Sequence, residues 1–105
     1  MKDTATILVV DDAPENIDVL VGILKPSYQI KVARDGEMAI KIANIRPRPN
    51  LILLDIMMPG IDGYETCKFL KEDKQTRDIP VIFLSALSNP EDKVQAFNVG
   101  GIDYI

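Results

Sequence analysis

Histidine is absent from this 105-residue sequence, and cysteine occurs once, at Cys67. The first absence removes the commonest general base and transition-metal ligand, and the second forbids an internal disulfide or a multi-cysteine metal site. Together they exclude Ser-His-Asp and Cys-His hydrolases and ordinary zinc enzymes, so any chemistry must run on carboxylates, lysines and hydroxyls. Long apolar runs are missing as well. The longest hold a handful of residues, far short of the roughly 20 that cross a bilayer, and Met1-Lys2-Asp3-Thr4 opens no signal-peptide pattern. A cytoplasmic protein with no membrane partner is expected. Positive charge is outnumbered, with 12 Lys and Arg against 16 Asp and Glu, a net charge of −4 and a pI near 4.7. Its scattered placement argues against direct nucleic-acid binding, which needs clustered Lys and Arg to displace counterions from phosphates.

What is present is ordinary globular material, 47% apolar and 27% charged, in a length that supports one domain with one core. Thr6-Ile7-Leu8-Val9-Val10 is a β-branched apolar run that stops at Asp11-Asp12, as a strand buried on both faces would. Pro14 suits a first helical turn, and Ile17, Leu20, Val21 and Leu24 follow at helical spacing until Pro26. Tyr28, Ile30 and Val32 alternate with polar residues as in a second strand, and Asp35-Gly36 marks a turn. A second helix is expected through about Ile45, with Met38, Ile42 and Ile45 on one face and Ala39 and Ala43 beside them.

Leu51-Ile52-Leu53-Leu54 is a second continuous apolar run, ending in Asp55. Beyond Pro59-Gly60, Asp62 and Glu65 have the spacing of a capping box at the start of a third helix. Val81-Ile82-Phe83-Leu84 predicts a fourth strand ending at Ser85. Asn89-Pro90 opens a fourth helix that Gly100-Gly101 should terminate, and a fifth strand falls within Ile102 to Ile105. Strands alternating with helices over the whole length predict an α/β doubly wound fold, a five-stranded parallel sheet covered on both faces.

Asp11, Asp12 and Asp55 all stand at the carboxyl ends of apolar strands, the edge at which open α/β sheets bind ligands. If the first and third strands are neighbours, three carboxylates converge. Two charges about 4 Å apart repel by about 1 kcal/mol in water and about 4 kcal/mol at an effective dielectric near 20, so the cluster calls for a cation or a raised pKa. Hard oxygen donors without His or Cys point to Mg²⁺, which accepts one or two carboxylates together with phosphate oxygens. An ionised Asp beside that ion is a nucleophile suited to phosphorus, and Ser85 is placed to donate to a phosphoryl oxygen. Taken singly, Asp12 is as well explained as a helix cap, and Ser85 is better explained as a turn residue. Three acidic positions and one hydroxyl, each directly after a separate apolar run, are not explained that way.

Ile7-Leu8-Val9-Val10-Asp11-Asp12, Leu53-Leu54-Asp55-Ile56-Met57-Met58-Pro59-Gly60-Ile61-Asp62-Gly63 and Pro80-Val81-Ile82-Phe83-Leu84-Ser85-Ala86 resemble response-regulator receiver domains. The similarity covers essentially the whole chain and implies that residues 1–105 form one receiver domain of two-component signalling. It implies a flavodoxin-like strand order 2-1-3-4-5. Asp11, Asp12 and Asp55 would hold Mg²⁺ with the backbone carbonyl of Met57, and Asp55 would take a phosphoryl group from a histidine kinase or a histidine-phosphotransfer protein. Ser85 and Tyr104 would sense the phosphoryl group. Asp11-Asp12-Ala13-Pro14-Glu15-Asn16 is also similar to receivers attached to cyclic-dinucleotide enzymes or hybrid kinases.

The match departs at the end. In the family the segment resembling Asp103-Tyr104-Ile105 leads to a Lys-Pro pair and a last helix, whereas this sequence stops first, and no Lys present, Lys93 included, occupies the matching position. The expectation is a domain incomplete at its C-terminus, with apolar surface exposed beside the first helix. A missing element borrowed from a partner or exchanged in a homodimer is the alternative. A pseudo-receiver that serves only as an interaction or dimerisation module competes with the phosphorylation switch; the absent Lys favours it and the intact carboxylates oppose it. A magnesium phosphatase fits poorly, because the position two beyond the nucleophile is Met57 and not an acid. A flavin or nucleotide site fits no better, because the first strand leads into Asp-Asp-Ala-Pro-Glu-Asn rather than a Gly-rich phosphate loop.

Overall fold

The computed structural model describes residues 4–84 and the strand Asp103–Tyr104. The elements are β1 (Thr6–Val10), α1 (Pro14–Leu24), β2 (Gln29–Ala33), α2 (Gly36–Ala43), β3 (Leu51–Asp55), α3 (Gly63–Glu72), β4 (Val81–Leu84) and β5 (Asp103–Tyr104). All strand pairs are parallel and the order is β2-β1-β3-β4-β5, as the resemblance implied. The expected fourth helix, Ser85 and the side chain of Tyr104 lie outside the described residues.

The uninterrupted apolar runs are explained by burial on both faces. In β1 the alternate residues Leu8 and Val10 join one core with Ile52, Leu54, Val81 and Phe83, against α2 and α3. Ile7 and Val9 join the other, with Leu53 and Ile17, and with Leu20, Val21 and Leu24 of α1 partly buried against them. The two faces differ in closure. Ile52, Val81 and Phe83 on the α2/α3 side are fully buried, whereas Leu51, Ile82 and Leu84 on the α1 side are partly open. Among the described residues no helix is long and apolar enough to cross a membrane.

Local signals agree with the sequence at two helices. Pro14 occupies the first turn of α1. At α3 the Asp62 carboxylate accepts from the Glu65 N–H at 2.9 Å, and the Glu65 carboxylate accepts from the Asp62 N–H at 3.2 Å, completing the capping box.

The second helix departs from expectation. It ends at Ala43, and its buried side is Gly36, Ala39 and Ala43, while Met38 and Ile45 are 44% and 57% exposed. The reason is the closeness of α3: a Cβ on Gly36 would lie 2.1 Å from Thr66 Oγ1 and 2.6 Å from Ile61 Cγ1. Only a small-residue stripe lets the two helices approach this far, so the bulky side chains turn to the flanks. Tyr28 and Val32 are also exposed, because β2 is an outer strand of the sheet.

Candidate functional site

Register builds the site. Val10 pairs with Leu54 across β1 and β3, so the next residues, Asp11 and Asp55, emerge side by side on neighbouring strands, which lie about 4.8 Å apart in any sheet. Asp11 keeps its place in the sheet by donating its N–H to the Ala33 carbonyl at 3.1 Å. Asp12 follows where the chain leaves β1, and Arg34 at the end of β2 donates to its backbone carbonyl at 3.2 Å. Asp11, Asp12 and Asp55 each offer a carboxylate oxygen, and these oxygens lie within 4.8 Å of one another.

The alternative role for the strand-end carboxylates, capping α1, is not what they do. Ala13, not Asp11 or Asp12, is the cap residue of that helix. Asp11 instead accepts from the Ala13 N–H through Oδ1 at 2.9 Å and from the Asn16 side-chain amide through Oδ2 at 3.1 Å. With only 4% of its surface exposed, Asp11 has a carboxylate that needs both bonds.

Asp55 ends β3 and is partly buried. Loss of solvation, the Asp11 charge and then the Asp12 charge push its carboxyl up from the ordinary 3.8 to about 6, while N–H groups of Met57 and Ile56 that donate to it pull the other way. The charges acting on it are therefore negative. Three clustered carboxylates, one almost fully buried and one raised by its neighbours, form the donor set that suits a hard divalent cation.

The β3–α3 connection holds Asp55 in place. The Gly63 N–H donates to the Ile56 carbonyl at 2.8 Å, and a Cβ on Gly63 would fall 2.3 Å from the Asp55 carbonyl oxygen and 2.7 Å from Ile56 Cα. The start of α3 thus rests directly on the backbone of the phosphoacceptor candidate. Met57 stands just beyond, 72% exposed, at the open rim.

A family model described as response regulator receiver domain matches residues 7–105. The chain belongs to this family. Receiver domains serve phosphorylation-based two-component signalling, take phosphoryl groups from histidine kinases and bind Mg²⁺ at an acidic pocket. The receiver is 46% identical over 100 residues to a probable cyclic di-GMP phosphodiesterase of Vibrio cholerae, covering 95% of this chain and 22% of that protein. It is 42% identical over 103 residues to the response regulator PleD of Caulobacter vibrioides, covering 97% of this chain and 22% of PleD. This chain therefore spans about a fifth of these two relatives, and the phosphodiesterase name belongs to a protein mostly outside the match. Among solved structures, the signal receiver domain of a signal transduction histidine kinase from Syntrophus aciditrophicus superposes with a TM-score of 0.85 at 39% identity, covering 96% of this chain and 76% of that one.

Of the residues singled out from sequence, Asp11, Asp12 and Asp55 are brought together. Met57 lies beside them and contributes an N–H to Asp55. Three participants were not assigned roles from sequence: Asn16, Arg34 and Gly63. Gly63 carries a readable signal, a glycine directly after a helix-capping Asp. Asn16 and Arg34 look like ordinary solvated residues until the topology is known.

Proposed function

We propose that this receiver is a phosphorylation-operated switch in which Asp55 accepts a phosphoryl group from the phosphohistidine of a histidine kinase or histidine-phosphotransfer protein. The observation that carries this reading is the meeting of Asp11, Asp12 and Asp55 oxygens within 4.8 Å, at the sheet edge where strand order reverses. Asp11, Asp12 and Asp55, with the backbone carbonyl of Met57, would hold Mg²⁺. Bound there, the ion would offset the charge of the carboxylates and of the incoming phosphoryl oxygens.

The chain's own residues do the rest. An Asp55 carboxylate oxygen forms a bond to phosphorus as the phosphorus–nitrogen bond of the donor breaks, the electron pair leaving with the imidazole nitrogen. N–H groups of Met57 and Ile56 orient the Asp55 carboxylate for that approach. Gly63 lets α3 seat against the Asp55 backbone, which supports the nucleophile from beneath. Ser85, which follows β4 in the sequence, would donate to the transferred group, and Tyr104 of β5 would respond to it. The product biases a two-state equilibrium that a partner reads.

The test is intact mass after incubation with Mg²⁺ and a small acyl-phosphate donor under rapid quench. The parent should gain one phosphoryl group only when Mg²⁺ is present, and Asp55→Asn should gain none. An equal adduct on Asp55→Asn would refute the assignment.

A further inference from the structure

Asp11 is the most demanding member of the carboxylate cluster. At 4% exposure its charge is almost out of water, and a buried carboxylate is costly unless its oxygens find donors. The Ala13 N–H serves Oδ1 at 2.9 Å, a local turn that almost any residue at position 13 supplies. Oδ2 depends on a side chain, the Asn16 carboxamide at 3.1 Å.

Asn16 is the third residue of α1 and is exposed. Short polar side chains in a first helical turn usually satisfy their own backbone or face water. This one instead donates to Asp11, five residues earlier and outside the helix. The type of donor matters. A Lys or Arg in that place would cancel part of the negative field that attracts a divalent cation, and an Asp or Glu would add a fourth charge and lose the donor. A neutral carboxamide fixes the carboxylate and leaves the field intact.

We infer that Asn16 is a positioning residue for the cation site, holding the Asp11 carboxylate so that one oxygen is presented in a fixed place beside Asp12 and Asp55. The inference rests on reading the three carboxylates as a Mg²⁺ site. Partners that orient a metal-ligating group from one shell out commonly contribute a factor of about 10 to 100 in metal affinity. The lower end is expected here, because the amide lies at the surface and Ala13 still holds Oδ1.

The experiment is calorimetric titration of Mg²⁺ into the parent, Asn16→Leu and Asn16→Gln, with urea unfolding of each in EDTA. Asn16→Leu keeps the volume and removes the donor, and it should weaken Mg²⁺ binding by about tenfold. Asn16→Gln keeps a carboxamide and should recover part of that loss. In EDTA, Asn16→Leu should unfold at somewhat lower urea than the parent, because a buried carboxylate oxygen loses its donor, yet it should remain fully folded without urea, where the titrations are made. Equal Mg²⁺ affinity in the parent and Asn16→Leu would overturn this inference alone. So would an Asn16→Gln protein as weak as Asn16→Leu, or an affinity loss explained by unfolded protein. No Mg²⁺ binding by the parent would overturn both the inference and the metal-site reading beneath it.

Discussion

Replacing Asp55 with Asn should make the Mg²⁺-free protein more stable at neutral pH. The carboxyl is raised from 3.8 to about 6 because burial and two nearby carboxylates disfavour its charged form. Taken at face value, that interval converts to about 3 kcal/mol. Asp55 is only partly buried, and solvent screening reduces the figure to about 1–2 kcal/mol. The sign follows from linkage. A folded-state pKa above the unfolded one means that the native state holds the proton more tightly, so Asp55 contributes most below pH 3.8. That contribution is lost as pH rises through about 6. Asn imitates the protonated acid and does not titrate. In urea denaturation with EDTA, Asp55→Asn should therefore exceed the parent by about 1–2 kcal/mol at pH 7, and the gap should close toward pH 4. Other carboxylates titrate in both proteins and largely cancel in the difference. Saturating Mg²⁺ should narrow the gap from the other side, because an ion at ten times its dissociation constant stabilises the parent by about 1.4 kcal/mol. A parent as stable as Asp55→Asn at pH 7 without Mg²⁺, or a gap that persists unchanged near pH 4, would refute the reasoning.

Two glycines should respond in opposite directions to alanine. Gly63→Ala drives a methyl group against the Asp55 backbone at 2.3 Å and should lower stability by about 2 kcal/mol or more while weakening Mg²⁺ binding. Gly22→Ala, an exposed position in α1 with nothing within 4 Å, should raise stability by about 0.5–1 kcal/mol and leave binding alone; denaturation and calorimetry on the pair test both signs. The Cys67 thiol, fully buried, is pushed up to about 11 by that burial, with Lys71 acting the other way. Its alkylation at pH 8 should therefore follow opening of the fold, and labelling at the rate of a small-molecule thiol would contradict its placement.

The parts of the fold legible in the sequence were those set by one element at a time. The runs at Ile7 to Val10 and Leu51 to Leu54, β-branched or bounded by turn signals, fit strands covered on both faces, and Asp62 with Glu65 could cap a helix whatever lay around it. The strand-end carboxylates were legible for the same reason, since an apolar run marks where a strand stops and the next residue inherits the sheet edge. The buried stripe of α2 was not, because it depends on how near α3 comes. Met38 and Ile45 have the hydropathy of a core face, yet the contact distance at Gly36 admits only small residues. Asn16 was opaque on similar grounds: a polar residue in a first helical turn has several uses, and only the position of Asp11 selects among them.

The same geometry that crowds these carboxylates also suits them to hold a cation. Asp11, Asp12 and Asp55 are held close by elements that cannot yield cheaply: the β1–β3 register places two of them, and Gly63 seats α3 on the backbone of one. With β1, β3 and α3 fixing where these carboxylates start, loss of solvation and then the repulsion between them act on Asp55, whose carboxyl is raised to about 6. A bound cation removes that repulsion in addition to making its own contacts, so affinity should be greatest where the scaffold is stiffest. Weakening the scaffold should then reduce Mg²⁺ affinity and bring the Asp55 carboxyl back toward its ordinary value together. In Gly63→Ala both changes are expected, measurable by calorimetry and by NMR titration of the Asp55 carboxyl. A variant that lost affinity while that carboxyl stayed near 6 would show that rigidity and repulsion are separate properties of the site.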